Sequence, residues 1–589
     1  MISYTWNLTN LYKTNDEFLA DFELAKKYLK NAKKFREKLN KNDKKTILEY
    51  FKLDEEMSVI LEKLAVYAFC KQDDDAKNED NIKNYASTSD FFSKISEELA
   101  FVKTELSSLS VEFLTEMKND KEFKDFDRFL EDIIRQKAHT LSEKEEQNMA
   151  IISGFNNTDD IFSVLSNIEM NHGEVEDDDG NMVKLMPGNY GAMMNNADSK
   201  KRKLVMETYL AEYGKLNQTL ANLFTSHVKY KNYVASAYGF KSVLDMKCYN
   251  EEVDPEIMMV NIKNVYSRVD LVQRYFKLKQ KILGLEKFSA SDISVDLFPE
   301  KDKVVYDDVV KDIYNAFAPL GNDYQEMFQK ALEEGWIDAF PRENKTSGGY
   351  TTSTYKEHPY ILLNFDGTRS WASAIAHEFG HAMHSYYSAQ NQPYGKSQYT
   401  LFVAEIVSLT NEILYNKYLL SKTDDRKEKM KLLSDFLALF ELNVYDSSML
   451  AEFELFAHDS LQNGMTLTPA DYNNKYIEVC KKYLGDFIHY NKGYEFNWSR
   501  KSHIYRDYYL YKYSLGLVCA CFASKNILED KTGEYAAKYK NFLKLGGSLP
   551  PIESLKVAEI DVYSTKLYDE AFAMFEEYLI NLENLEKNM

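Results

Sequence analysis

Apolar residues recur along most of this chain at intervals of three and four. They fall at Phe18, Phe22, Ala25, Leu29, Ala32 and Phe35, then Leu39, which lays one stripe along a long helix. The same spacing predicts long helices over residues 47–71 and 90–117, with the polar run 73–80 between them. The pattern changes character twice. In EVEDDDGNMVKL, residues 174–185, valines and a methionine flank an Asp-Gly turn, which predicts a β-hairpin. A calcium loop does not fit there, because placing Gly180 at the central glycine makes Val175 the first ligand. Residues 358–365, HPYILLNF, are a short apolar run between Gly348-Gly349 and the Asp366-Gly367 turn, the mark of a strand. Gly188 and Gly191 suggest a boundary, so an N-terminal helical domain is expected over 1–190 and a second domain over 191–589. The expected fold class is mostly α with a small β-sheet beside the helix that follows residue 367.

At 589 residues the chain exceeds what one ordinary core organises. Its net charge of -20 argues against nucleic acid or an anionic membrane as the main partner, since both select clustered positive charge. The five cysteines are odd in number and scattered, and Cys519 and Cys521 lack the CxxC spacing, so no disulfide framework is expected. No basic start followed by an apolar core opens the sequence, and no run of about 18 apolar residues could span a bilayer. These features together predict a cytoplasmic location. Oligomeric state leaves no mark on the sequence.

The chemistry concentrates in SWASAIAHEFGHAMHSYYS. His377 and His381 are four apart, so on a helix both imidazoles share one face and can reach one metal ion. Glu378 stands about 100° round the helix from His377, placed to address a water at the metal. Ser370 is the expected N-cap, and Gly380 in mid-helix implies close approach of another backbone. Three of the ten histidines fall within residues 377–384. Catalytic zinc takes three protein ligands and keeps a fourth position open. His384 lies roughly 10.5 Å along the axis from His377, too far for one straight helix to supply all three. Glu405, in the helical run LFVAEIVSLTNEILYNKYLL, is the expected third ligand, brought back by the loop 390–400. Glu412, seven residues on and on the same face, is the expected hydrogen-bond partner of a zinc histidine, while His384 packs nearby.

These residues resemble the thimet oligopeptidase and neurolysin family of zinc peptidases, its oligoendopeptidase F branch above all. The likeness runs from YTWNLTNLY at the start through AFPRENKTSGGYTTSTYKEHPYILLNFDGT, HEFGHAMHSYYS, FVAEIVSLTNE and SHIYRDYYLYKYSLG to LKLGGSLPPIESL. It implies a two-lobed helical fold with a deep channel that admits short peptides and excludes folded proteins. It implies Glu405 as the third ligand of a single catalytic Zn2+. It also implies that a His and Tyr cluster, here His503, Tyr505, Tyr508, Tyr509 and Tyr511, faces the scissile carbonyl. YYLYKYS aligns without a gap to the thimet-type YYGYLWS, but His503 stands closer to Tyr505 and the intervening glycines are missing.

The reaction expected is hydrolysis of internal bonds of oligopeptides by a metal-activated water, with Glu378 as base and then acid. Tyr511 and His503, with Tyr505 or Tyr508, would donate to the developing oxyanion. Substrate backbone would pair with the strand 358–365, through Tyr360 and Leu362, with Gly348 and Gly349 letting it come close. A rival within the class is release of C-terminal dipeptides, which requires a group such as Arg369 or Arg506 to grip the substrate carboxylate. From another class, a peptide-binding protein without turnover is the alternative. Gly395-Lys396-Ser397 is no P-loop, since residue 390 is Gln where the first glycine belongs.

Overall fold

The stripe beginning at Phe18 forms a helix, Asn15–Ala32, in the computed structural model of the chain, which describes residues 2–154, 156–299 and 302–587. Thr14 caps it by accepting from the Glu17 N–H, and Phe18, Ala25, Leu29 and Ala32 are buried. The helix ends before Phe35 and Leu39: a single 3-10 turn, Lys33–Phe35, leads to extended backbone at Arg36. The helix expected over 47–71 runs Lys44–Asp74 from an Asp43 cap. The one expected over 90–117 is three helices, Glu79–Glu98, Ala100–Ser108 and Val111–Lys118. Its periodicity continues across the breaks, but the Ser110 hydroxyl accepts from the Phe113 N–H and starts a new helix there.

The described residues are mostly helical, as expected, and the chain divides into two compact units, each of three segments. One holds Met1–Thr140, Glu300–Leu419 and Ala523–Ile560; the other holds Leu141–Pro299, Leu420–Phe522 and Asp561–Met589. This partition differs from a single cut near residue 190, and the stretch that begins at Pro187 is a helix, Pro187–Met194. In the second unit, β1 (Glu174–Glu176) pairs antiparallel with β2 (Met182–Lys184) about the Asp-Gly turn. Among the described residues, no helix is long and apolar enough to cross a membrane. All five cysteines are free thiols and buried.

The first unit carries a three-stranded sheet ordered β3 (Ile337–Asp338), β5 (Tyr360–Leu362), β4 (Tyr350–Thr352). β5 pairs parallel with β3 and antiparallel with β4. This corrects the expected substrate strand. Tyr360 and Leu362 are fully buried, packed in one cluster with Phe18, Leu29, Leu64 and Tyr67, and both edges of their strand are taken. The outer edge of β4 carries no strand among the described residues. Asp73, near the end of the helix Lys44–Asp74, anchors β4 by accepting from Tyr350 Oη at 2.8 Å and Thr346 Oγ1 at 2.8 Å. Asp338 on β3 is buried but neutralised, with Lys345 Nζ at 2.5 Å and Arg342 Nη1 at 2.6 Å.

Candidate metal centre

The helix that carries the histidines runs Arg369–Asn391 in the first unit. Its N-cap is Thr368, whose hydroxyl accepts from the Trp371 N–H at 3.4 Å; Ser370, the expected cap, already lies inside the helix. Glu405 stands on the helix Leu401–Lys422. The two helices meet backbone to backbone at Gly380, where a Cβ would lie 2.6 Å from Ser408 Cα and 2.9 Å from Ser408 N and Val407 O. That contact is the close approach the mid-helix glycine implied, and it brings the carboxylate to the imidazoles.

His377, His381 and Glu405 form a triangle. Nε2 to Nε2 is 3.2 Å, and Glu405 Oε2 lies 3.5 Å from His377 Nε2 and 3.6 Å from His381 Nε2. Tetrahedral bonds of about 2.0–2.2 Å give an edge of about 3.3–3.6 Å, so these donors stand where one ion would hold them. The surroundings agree. Glu412 Oε1 is 2.6 Å from His377 Nδ1, and Ser373 Oγ donates to Glu412 Oε2 at 2.8 Å. With Nδ1 donating to Glu412, Nε2 of His377 is the ring nitrogen that faces the other two donors. Burial opposes charge on His377, yet the Glu412 hydrogen bond and charge, with Glu378 and Glu405, outweigh it and carry its pKa up to about 9. Burial, then His377, pushes His381 down to about 3, leaving a neutral ring. The site therefore favours a cation at its centre, and the donor set of two imidazoles and one carboxylate suits zinc.

Glu378 is buried. Thr351 on β4 donates to its Oε2 at 2.7 Å and to its backbone oxygen at 2.8 Å. Burial raises its pKa above the ordinary glutamate range, against the lowering by His377 and the Thr351 hydrogen bond. Ser408 Oγ donates to Glu405 Oε2 at 3.0 Å. His384 is not part of the ligand group: its ring is buried and stacks on Tyr399 with centroids 3.6 Å apart, and burial lowers its pKa to about 3. Gly348 takes a φ of +90° in the turn before β4, while a Cβ on Gly349 would meet the Trp371 ring at 3.3 Å. Thr351, Ser373 and Ser408 were not singled out from sequence. The readable trace was slight: a hydroxyl beside a strand's glycines and one three residues after Glu405. Beside Thr352, the apolar side chains of Ala65, Val66, Phe69 and Phe92 line a pocket of 360 Å³.

The remaining candidates lie in the second unit. His503 sits on a 3-10 helix, Ser502–Arg506, half-buried, its ring 6.4 Å from that of Tyr509. Tyr505 is buried, stacked on Phe162 at 4.9 Å and edge-on to His227 at 5.2 Å. Tyr508 has φ +56° and follows Asp507 at φ +45°, a strained pair. Buried contacts hold that turn: Glu454 Oε1 accepts the Tyr508 N–H at 2.6 Å, and Asp507 Oδ1 faces His227 Nε2 at 2.9 Å. Tyr511 opens the helix Tyr511–Glu529 with its buried hydroxyl beside the Cys248 thiol. In this cluster His503 and Tyr509 are the side chains that remain partly accessible.

The family model "Peptidase family M3" matches residues 192–574, and the model "Oligopeptidase F" matches residues 105–171. Oligopeptidase PepF of Bacillus subtilis is 31% identical over 99% of this chain and 87% of its own length. Group B oligopeptidase PepB of Streptococcus agalactiae is also 31% identical, over 99% of this chain and 97% of its own. Among solved structures, oligoendopeptidase-F from Enterococcus faecium superposes with a TM-score of 0.74 at 26% identity, covering 97% of this chain and 100% of that one.

Proposed function

Because this chain belongs to peptidase family M3, in its oligopeptidase F branch, we propose that it is a zinc endopeptidase cutting internal bonds of short unstructured peptides. The observation that carries the reading is the triangle of His377, His381 and Glu405, with 3.2–3.6 Å sides, next to the buried Glu378. Zinc bound there supplies Lewis acidity, drawing the pKa of a water toward about 7 and polarising a carbonyl. Glu378 takes the proton of the attacking water and returns it to the leaving amine. Its burial keeps it basic enough to accept that proton, and Thr351 holds its Oε2 in one orientation. Glu412 fixes the tautomer of His377, and Ser408 orients Glu405. His503 and Tyr511, in the reading carried over from the resemblance, donate to the oxyanion as it forms. The extended peptide pairs with the outer edge of β4, the strand that also presents Thr351. The pocket beside Thr352 receives one apolar side chain. Free buried thiols fit a reducing compartment, and the reading places the enzyme in the cytoplasm.

Glu378→Gln tests this. It spares every ligand, so zinc stays stoichiometric while turnover falls by about a thousandfold or more. A zinc-loaded variant retaining a tenth of wild-type turnover would remove Glu378 as the base. Zinc without turnover in the wild type would leave only a peptide-binding protein. Cleavage mapping on a peptide of about ten residues, as free acid and as C-terminal amide, separates endopeptidase action from dipeptide release.

A further inference from the structure

The second unit holds a pocket of 450 Å³ whose walls include Arg500, Arg506, Tyr190, Tyr209, Tyr213 and Ser502. Arg500 is the unusual member. Its Nε donates to Asn497 Oδ1 at 2.5 Å and its guanidinium lies 5.2 Å from the Tyr190 ring centroid. Its terminal nitrogens have no acceptor and no carboxylate partner among the described residues. Burial opposes its charge, and the titratable side chains around it are Tyr190, Tyr476, Tyr209 and Tyr213, all uncharged at neutral pH. The Tyr190 hydroxyl, on a side chain 8% exposed, is itself buried without a partner. A half-buried guanidinium whose terminal nitrogens have no acceptor can take one more anion. Its planar fork matches a carboxylate in two-point fashion.

We propose that this pocket is a carboxylate-binding site, in which Arg500 forks onto the terminal carboxylate of a peptide and the Tyr190 hydroxyl donates to it. The space suits the end of a peptide about two residues long. Asp159 and Asp160, both exposed, also line the pocket and offset the two arginines. A doubly charged phosphate is disfavoured by them more than a monoanionic carboxylate is. Arg500 and Ser502 flank the start of the 3-10 helix that carries His503, so the site deepens the peptidase reading by naming which end of a peptide is held.

Binding to the zinc-loaded full chain, followed by ligand-observed NMR titration, tests the site without relying on turnover. The probes are N-acetyl-dialanine, its C-terminal amide and inorganic phosphate. The acid is expected to bind about tenfold or more tightly than the amide. Arg500→Gln should weaken the acid by about ten- to a hundredfold, and Tyr190→Phe by about three- to tenfold, with Arg500→Lys between them. Tyr190→Phe removes only one hydroxyl, so it carries the test if Arg500→Gln fails to fold. Equal affinity for acid and amide, or undiminished binding of the acid to both Arg500→Gln and Tyr190→Phe, overturns the site. Phosphate binding as tightly as the acid overturns the carboxylate assignment. A peptidase that cuts normally yet shows no preference for the acid would sink this site and leave the zinc chemistry standing.

Discussion

Gly380→Ala is the sharpest perturbation the metal centre offers, because it adds one methyl and touches no ligand. That methyl would sit 2.6 Å from Ser408 Cα and 2.9 Å from both Ser408 N and Val407 O. Ordinary carbon contacts begin at about 3.5 Å, so the two helices must separate locally by roughly 1 Å. The histidines are on one helix and Glu405 on the other, with Oε2 now 3.5 and 3.6 Å from the two Nε2 atoms. Metal bonds tolerate deviations of about 0.2 Å, so the carboxylate no longer reaches an ion held by both rings. Zinc affinity should fall by about a hundredfold or more, and turnover at saturating zinc by about as much. Stability should change little. Alanine gains about 1 kcal/mol of helix propensity, against about 1–3 kcal/mol for overpacking. Ser408→Gly should not rescue the variant, since the clash is with backbone atoms. Chelator competition gives the zinc affinity and circular dichroism the fold. A folded Gly380→Ala protein with zinc affinity within about threefold of wild type would refute the claim that this contact sets the ligand spacing.

Three further outcomes follow from the same geometry. Thr351→Val removes the donor to Glu378 Oε2 at 2.7 Å, which favours the charged form, so the acid limb of kcat/KM should move to higher pH; an unmoved limb breaks the link between β4 and Glu378. Glu405→Ala should release zinc on dialysis while His384→Ala keeps it, and metal analysis showing the reverse would mean that the motif helix bends to present three histidines. Burial, only partly countered by Asp507, lowers His458 from 6.5 to about 4. Because the folded pKa lies below the unfolded one, the contribution is intact above pH 6.5 and drains away as pH falls toward 4, by about 3 kcal/mol in all. The urea midpoints of wild type and His458→Gln should therefore depend differently on pH across that window, and parallel curves would deny the shift.

What could be read in advance depended on how locally each feature is encoded. His377 and His381 share a face because helix geometry alone puts them there, and Glu412 lies seven residues from Glu405 by the same periodicity. The helix over 90–117 was misjudged because apolar spacing persists across both breaks, one at Leu99 and one where the Ser110 hydroxyl starts a new helix. The partner of Gly380 was not readable, since a glycine announces that something comes close but not what. The pocket round Arg500 was not readable either: three of its four tyrosines come from residues 190–213, and no spacing ties those to residue 500.

The sheet shows the limit most clearly, and its correction changes the functional argument. A run as apolar as Tyr360–Leu362 reads as a strand, but apolarity on both faces is the property of an interior strand, flanked on each side. A strand that accepts a peptide must keep one edge free and stay partly exposed, and that describes Tyr350–Thr352. Its Tyr-Thr-Thr sequence looks like loop because its apolar partner is missing on the outer side. Asp73 fixes its start through Tyr350, and Thr351 holds Glu378 from the same strand. A peptide pairing with β4 is thereby placed in register with Glu378 by backbone hydrogen bonds alone, which selects extended chains without selecting a side chain. Replacing an amide of the substrate by an N-methyl group at successive positions should abolish cleavage at alternate positions only. Uniform tolerance of N-methylation would mean that β4 is not the substrate strand.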